Sequence, residues 1–337
     1  MIHRHVHLSV RERRRLRSAG VLPWLLGLLF SLLPWTAGAD PARIQVLLSE
    51  TGGAYGELVA ALEKRLQAQA ERPVQLRIRQ VPENYAELAE LLATRPALAV
   101  PVGVRATALV LRAADTTPIL SLLVPYDTYL TLLDNVHPTA ARDPGLRSAI
   151  YLDQPLERQL NLLQLLLPKV LRLGTLAGPN SSQRIAELET LSAQRGLELA
   201  TEPVGSGDNP VAALTRLLDR SEVLLALPDP GVFNRTSLQA ILLTTYRSDV
   251  PVLGFSRAYV NAGALAAVHS SAEQIGAQAG EWIADLANAG GWRLGNARYP
   301  DYYSISVNGR VAQSLGISVA DEDVLLERLQ ALEQPQP

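Results

Sequence analysis

From Arg43 onward the chain alternates short apolar runs with stretches of helical spacing, and few folds satisfy that alternation. Arg43–Leu48 reads as a strand. A glycine-broken loop, Ser49 to Gly53, leads into Tyr55, Leu58, Val59, Leu62 and Leu66 at helical spacing. Val74–Arg79, Ala97–Val102 and Pro118–Val124 read as further strands, with helices over Asn84–Ala93 and about Arg105–Ala113 between them. This (βα)₃β order predicts a parallel sheet with helices on both faces. A polar, turn-rich stretch (134–148) follows, and then a second series of similar length. That series has helices over Gln154–Leu167, Ser182–Arg195, Val211–Leu218 and Arg235–Tyr246. Its strands are Val170–Leu176, Leu197–Pro203, Glu222–Leu227 and Val250–Phe255. Two such arrays predict two doubly wound α/β lobes rather than one large sheet. A tail of strand Ala264–Val268, helix Ala272–Ala289 and strand Tyr302–Val307 remains. If it completes the first lobe, the chain crosses between lobes three times and forms a hinge over a cleft. The expected division is 40–148 plus about 260–296 for one lobe, and 149–259 plus about 297–330 for the other.

Residues 1–39 have the character of an export signal. Arg11, Arg13, Arg14, Arg15 and Arg17 precede the apolar run Val21–Leu33, and Ala37-Gly38-Ala39 fits a cleavage site before Asp40. The run is shorter than the ~20 residues of a membrane span and contains Pro23. An uncleaved anchor is the alternative. The chain has no cysteine, which excludes a lipoprotein tether, disulfides and thiolate metal sites. The expected location is therefore periplasmic. Six of the 31 Lys and Arg and one of the 33 Asp and Glu lie in 1–39, leaving 25 basic against 32 acidic residues. That balance disfavours nucleic acid as a partner. Beyond the leader only His137 and His269 remain among the histidines, so neither a histidine-built metal site nor a cofactor is expected.

Four segments carry a family resemblance. They are Ala149-Ile150-Tyr151-Leu152-Asp153-Gln154-Pro155, Leu225-Ala226-Leu227-Pro228-Asp229-Pro230 with Phe233-Asn234, Pro251-Val252-Leu253-Gly254-Phe255-Ser256 running on to Tyr259, and Ser306-Val307-Asn308-Gly309-Arg310. Together they resemble the ABC-transporter substrate-binding proteins, in the branch that includes aromatic-amino-acid binders. The resemblance implies the type I periplasmic-binding architecture, with two Rossmann-like lobes, three hinge crossovers and a small molecule held between the lobes. It implies delivery of that ligand, an amino acid or an aromatic compound, to a membrane permease. A sensory protein that signals to a membrane kinase or receptor is the second reading. Many relatives have a Thr-Asp pair where this chain has Pro228-Asp229, so the carboxylate is kept and its neighbour is not.

In open parallel sheets, ligands sit beyond the carboxyl ends of the strands. That rule selects Ser49, Tyr55, Gly103, Thr107 and Tyr126 in the first lobe. In the second it selects Asn180, Ser181, Asp229, Phe233, Asn234, Phe255, Ser256 and Tyr259. Asp229, held between two prolines, suits a ligand ammonium; the alternative is an Asp that bonds its own turn. Tyr55, Phe233, Phe255 and Tyr259 offer rings for stacking, and each also suits a core. Asn180 and Ser181 precede a helix, where exposed amides attract anions or the side chains simply cap.

Enzymatic readings fit less well. Gly52-Gly53-Ala54-Tyr55-Gly56 lacks the first glycine of a dinucleotide loop. Gly254-Phe255-Ser256-Arg257-Ala258 resembles a nucleophile elbow, but no acid stands between Ser256 and His269 in the hydrolase order. The strand before His269 is also expected to carry it to the other lobe. A serine hydrolase is the remote alternative, and no catalysis is expected.

Overall fold

The first sheet is wholly parallel, in the order β2-β1-β3-β4-β5, in a computed structural model that describes residues 40–114, 116–136, 143, 145–179, 181–234 and 236–334. The leader falls outside those residues, as do Asn180 and His137. Pro41–Pro337 form one unit.

In the first lobe, β1 (Ala42–Leu48), β2 (Val74–Gln80), β3 (Leu98–Val102), β4 (Ile119–Val124) and β5 (Arg147–Tyr151) alternate with α1 (Gly53–Gln69), α2 (Tyr85–Ala93), α3 (Val104–Ala113) and α4 (Tyr126–Asp134). The inner strand β3 is buried throughout and β2 forms the exposed edge, which matches the continuous apolar run of the one and the alternation of the other. Near its end β4 carries a register shift, with Leu123 at φ 55. This irregularity turns the chain into Pro125 and α4.

The second sheet has the order β11-β10-β9-β8-β6-β7. It contains β6 (Arg172–Ala177), β7 (Glu198–Pro203), β8 (Val223–Leu225), β9 (Val252–Gly254) and β10 (Ala266–His269), with β11 (Ser304–Val307) antiparallel at one edge. Around it lie α5 (Leu156–Leu166), α6 (Ser182–Gln194), α7 (Pro210–Leu218), α8 (Leu238–Arg247), α9 (Arg257–Ala262), α11 (Gly309–Ser314) and α12 (Glu322–Glu333). Leu325 and Leu329 of α12 join Leu156, Leu160 and Ile305 in that lobe's core.

One helix returns. α10 (Ala272–Ala289) lies on the first lobe, where Ile275, Ala279 and Ile283 pack with Leu58, Leu62 and the strand residues Ile44 and Val100. Each fully buried leucine here contributes about 2 kcal/mol. Gly276 and Gly280 permit the approach: a Cβ at Gly280 would stand 2.7 Å from the Leu62 carbonyl oxygen, and one at Gly276 would collide with that of Leu58. After α10 the chain runs along the first sheet, bridging Arg298 to Ile150, before entering β11. Three crossovers therefore join the lobes, at 152–155, 270–271 and 300–303.

The pairing differs from the expected division at two places. β5 pairs with β4, so the first lobe runs through Tyr151 rather than ending at 148, and a further helix, α4, comes just before the turn-rich stretch. β10 pairs with β9 and β11, so residues 260–269 stay with the second sheet, and His269 does not pass to the other lobe before its crossover. β5 escaped the apolar pattern because it opens on Arg147, whose guanidinium donates to the carbonyls of Thr117 (2.8 Å), Leu146 (3.0 Å) and Ala114.

Candidate functional site

A cavity of about 980 Å³ lies between the lobes at the carboxyl ends of both sheets. The first lobe contributes Ala54 and Glu57 from the first turn of α1, and Pro125 after β4. The crossovers contribute Leu152, Asp153, Ser270 and Ser271, flanked by His269 of β10 and Ala272–Gln274 of α10. Pro228–Pro230 and Phe233 after β8, and Phe255–Ala258 after β9, form the wall of the second lobe.

Four expected site residues meet in that wall: Asp229, Phe233, Phe255 and Ser256. Asp229 is 1% exposed, and its Oδ1 accepts the Gly231 N–H at 2.8 Å. Its carbonyl accepts from Val232 and Phe233 at 3.0 and 2.8 Å, so the aspartate bonds its own turn where that turn lines the cavity. Gly178, after β6, is bare because a Cβ there would collide with the Asp229 carboxylate. Tyr259 stands behind the wall. Its hydroxyl donates to the Phe233 carbonyl at 3.2 Å and its ring lies 4.2 Å from that of Phe255. Burial pushes its phenol up to about 12.

Other expected residues are engaged elsewhere. Ser49 Oγ accepts the Ala106 N–H at 2.9 Å at the start of α3. Gly103, at φ 89, leaves room beneath Ser49 and Tyr55, since a Cβ would come within 2.6 Å of Ser49 Oγ and 2.8 Å of the Tyr55 hydroxyl. Thr107 is fully buried in α3. Ser181 Oγ accepts from the Gly178 N–H at 2.8 Å, and Asn234 Oδ1 accepts from Thr236 and Ser237 at 3.0 and 3.1 Å. These side chains hold the loops that shape the cleft, and none of them lines it. Polar residues at strand ends serve both tasks, so spacing alone does not separate them.

The inner corner of the cleft is a charged cluster that strand-end reasoning passed over. Asp153, on the first crossover, is 5% exposed and accepts the Tyr126 N–H at 2.8 Å. Arg184, in the first turn of α6, is fully buried and lies 3.6 Å from Asp153. Its Nη1 donates to the Tyr299 hydroxyl at 2.8 Å and its Nη2 to the Gln154 carbonyl at 3.0 Å. Tyr126, an expected contact residue, stacks on Tyr299 at 5.9 Å and meets Tyr151 edge-on at 5.1 Å. Burial raises the carboxyls of Asp153 and Glu187 against the pull of Arg184. It pushes that of Asp127 up to about 6, with Asp153, Asp229 and Glu187 adding to the rise. One signal pointed here: Asp153 lies inside the Tyr151–Pro155 segment that carries the family resemblance.

His269 lines the cavity, but its Nε2 pairs with Ser306 Oγ at 2.9 Å, and burial lowers its pKa to about 4. It is therefore neutral at pH 7, with its Nε2 engaged by Ser306 rather than Ser256. Among the described residues no group of three His, Asp or Glu side chains is placed to hold a metal ion. Nor is any described helix long and apolar enough to cross a membrane.

Comparison with known proteins agrees with the two-lobed fold. Residues 80–330 match the family described as ABC transporter substrate binding protein. A search of the curated proteins finds no match. Among solved structures, a substrate-binding protein with adhesive properties from Clostridium difficile, in its ligand-free, open form, is similar with a TM-score of 0.67 at 17% identity, over 84% of this chain and 97% of that one. An ABC domain from Streptococcus pneumoniae in complex with L-Trp gives 0.60 at 17%, over 86% and 98%. A conserved domain protein from Vibrio cholerae gives 0.59 at 20%, over 86% and 98%. At these identities the likeness is one of fold.

Proposed function

The chain belongs to the ABC transporter substrate-binding protein family, and from that membership we propose that it is an exported protein that encloses a small molecule between its lobes and delivers it to the permease of an ABC importer. The observation that carries this reading is the interlobe cavity, about 980 Å³, walled by both lobes and by the crossovers between them. Its size falls within the ~300–1,000 Å³ of small-molecule sites. Movement about three crossovers closes such a cavity without unfolding either lobe.

The ligand is an amine with an apolar or aromatic body. Phe233, Phe255, Pro228 and Pro230 supply an apolar face, and Asp229 sets a buried carboxylate into it. The L-Trp held by the S. pneumoniae relative is of this chemistry. The basic, apolar leader and its Ala37-Gly38-Ala39 site support export to the periplasm and release from the membrane.

A thermal-shift screen of amino acids and aromatic acids tests the proposal, because a ligand that binds only the folded state raises Tm. Asp229→Asn keeps an acceptor for Gly231 and removes the charge. For any cationic hit it should weaken binding at least tenfold, about 1.4 kcal/mol. Unchanged affinity would remove Asp229 from the site, and a screen in which no compound shifts Tm would remove solute capture itself.

A further inference from the structure

Arg184 belongs to the second lobe, yet its guanidinium reaches out of that lobe. It is fully buried, and its Nη1 donates to the hydroxyl of Tyr299, 2.8 Å away at the approach to the third crossover. Its Nη2 donates to the Gln154 carbonyl on the first crossover at 3.0 Å. Its carbon lies 5.7 Å from the ring centroid of Tyr126, at the N-terminus of a first-lobe helix. Tyr299 is itself part of the first lobe's aromatic cluster, 5.1 Å from Tyr151 and 5.9 Å from Tyr126. Asp153, beside Arg184, holds the Tyr126 N–H. One cation thus fastens the first crossover, the residue that leads into the third, and one face of the opposite lobe.

We propose that Arg184 is the positioning residue of lobe closure. It ties the first crossover to Tyr299, the first-lobe residue that leads into the third, and so sets the angle at which the lobes meet, whatever solute occupies the cleft. This rests on the reading of the protein as a two-lobed solute trap, and it names the group that regulates that trap. Single strands offer little resistance to rotation by themselves. A bond that exists in only one arrangement of the lobes biases the equilibrium by its own strength, and loss of one charge-assisted hydrogen bond shifts the ratio of arrangements on the order of tenfold. Arginine suits the place because its planar fork reaches a hydroxyl and a carbonyl at once, which an ammonium cannot do from the same backbone position.

The test needs no ligand. The chain has no cysteine, so Glu90→Cys on α2 and Gln239→Cys on α8, both exposed, take nitroxide labels one to each lobe without background. Pulsed electron–electron resonance then reads the spread of interlobe distances in the full chain. Tyr299→Phe keeps the ring and its stacking and removes only the hydroxyl that Arg184 holds. It should move the distribution towards a second, displaced population about tenfold more occupied than in the parent, with secondary structure and unfolding midpoint little changed. Arg184→Lys should do the same. Tyr303→Phe removes the hydroxyl at the end of the third crossover, whose bond at 2.9 Å goes to Glu333 of α12 in the second lobe and not to Arg184; it should leave the distribution as it was. A Tyr299→Phe distribution superimposable on the parent would overturn the proposal, as would an equal displacement in Tyr303→Phe. If Arg184→Lys does not fold, Tyr299→Phe decides alone. With no solute added, a protein that captures nothing still reports its lobe angle, so this result and that of the thermal-shift screen fail independently.

Discussion

Arg184→Met keeps much of the side-chain volume and removes the charge, leaving Asp153, 5% exposed, without its cation. Deleting one partner of a buried pair costs about 3–5 kcal/mol, because the remaining charge is desolvated and uncompensated. Burial already raises the Asp153 carboxyl in spite of Arg184 and the Tyr126 amide. The abandoned acid therefore takes up a proton more readily, which holds the loss to the lower end, about 3 kcal/mol at pH 7. At about 2 °C per kcal/mol for a chain of this size, Tm falls by about 6 °C. Asp153→Asn in the same chain removes the orphaned charge and should recover more than half of the loss. The bonds to Gln154 and Tyr299 stay broken in both variants. The pH dependence has a definite sign. A carboxyl raised in the folded state favours the folded chain below its unfolded pKa, and that advantage disappears as pH rises through the folded value. Removing Arg184 raises Asp153 further, so the gap between variant and parent should widen from pH 4 to pH 7. Calorimetry of the parent, both single variants and the double variant measures all of this. A loss under about 1 kcal/mol, or a double variant no more stable than Arg184→Met, would mean that the pair behaves as a solvated surface contact and that its burial has no energetic meaning.

Gly276→Ala should destabilise the protein by about 1–3 kcal/mol in urea unfolding, because its Cβ meets main chain that cannot move without the helix. Gly291→Ala, where nothing lies within 4 Å, is the matched control and should stay within about 0.5 kcal/mol. Asp127 faces Arg184, Asp153, Asp229 and Glu187, and its carboxyl is pushed up to about 6 from 3.8. Its stabilising protonation is therefore complete below pH 4 and lost through pH 6. Asp127→Asn should be more stable than the parent at pH 7–8, by under about 1 kcal/mol since the group is half-exposed, and should show no gain at pH 4. Tm measured across that range checks it.

The rhythm of strands and helices was legible because inner parallel strands must be apolar throughout, as in Leu98–Val102, and because α1 and α10 keep a strict helical stripe. The Pro228-Asp229-Pro230 turn was legible for a similar reason, since a carboxylate between prolines at a strand end has few conformations to choose from. β5 was hidden by Arg147 and Ser148, polar residues that are buried all the same, Arg147 because carbonyls of the loop between α3 and β4 receive its guanidinium. β10 was visible as a strand, but its partners were not: Ala266–His269 has no side-chain pattern that chooses between two sheets. Arg184 was hidden by position. An arginine in the first turn of a helix reads as solvated, and only the tyrosines of a distant segment make it otherwise.

The close pairing of α1 and α10 has a consequence for how such a protein can change its ligand over evolutionary time. Both helices begin at the cavity, α1 with Ala54 and Glu57 and α10 with Ala272, Glu273 and Gln274. Their bodies touch backbone to backbone at Gly276 and Gly280, where no side chain can be exchanged for a larger one. New specificities on that wall are confined to the few exposed side chains of the first turns. Across the cavity, the turns at Pro228–Phe233 and Phe255–Ala258 hang from strand ends; Val232, Phe233 and Phe255 pack into the second lobe's core, while Pro230, Arg257 and Ala258 are exposed and can change without disturbing it. Natural variation in ligand choice should concentrate in those two turns, with the paired helices inherited nearly intact.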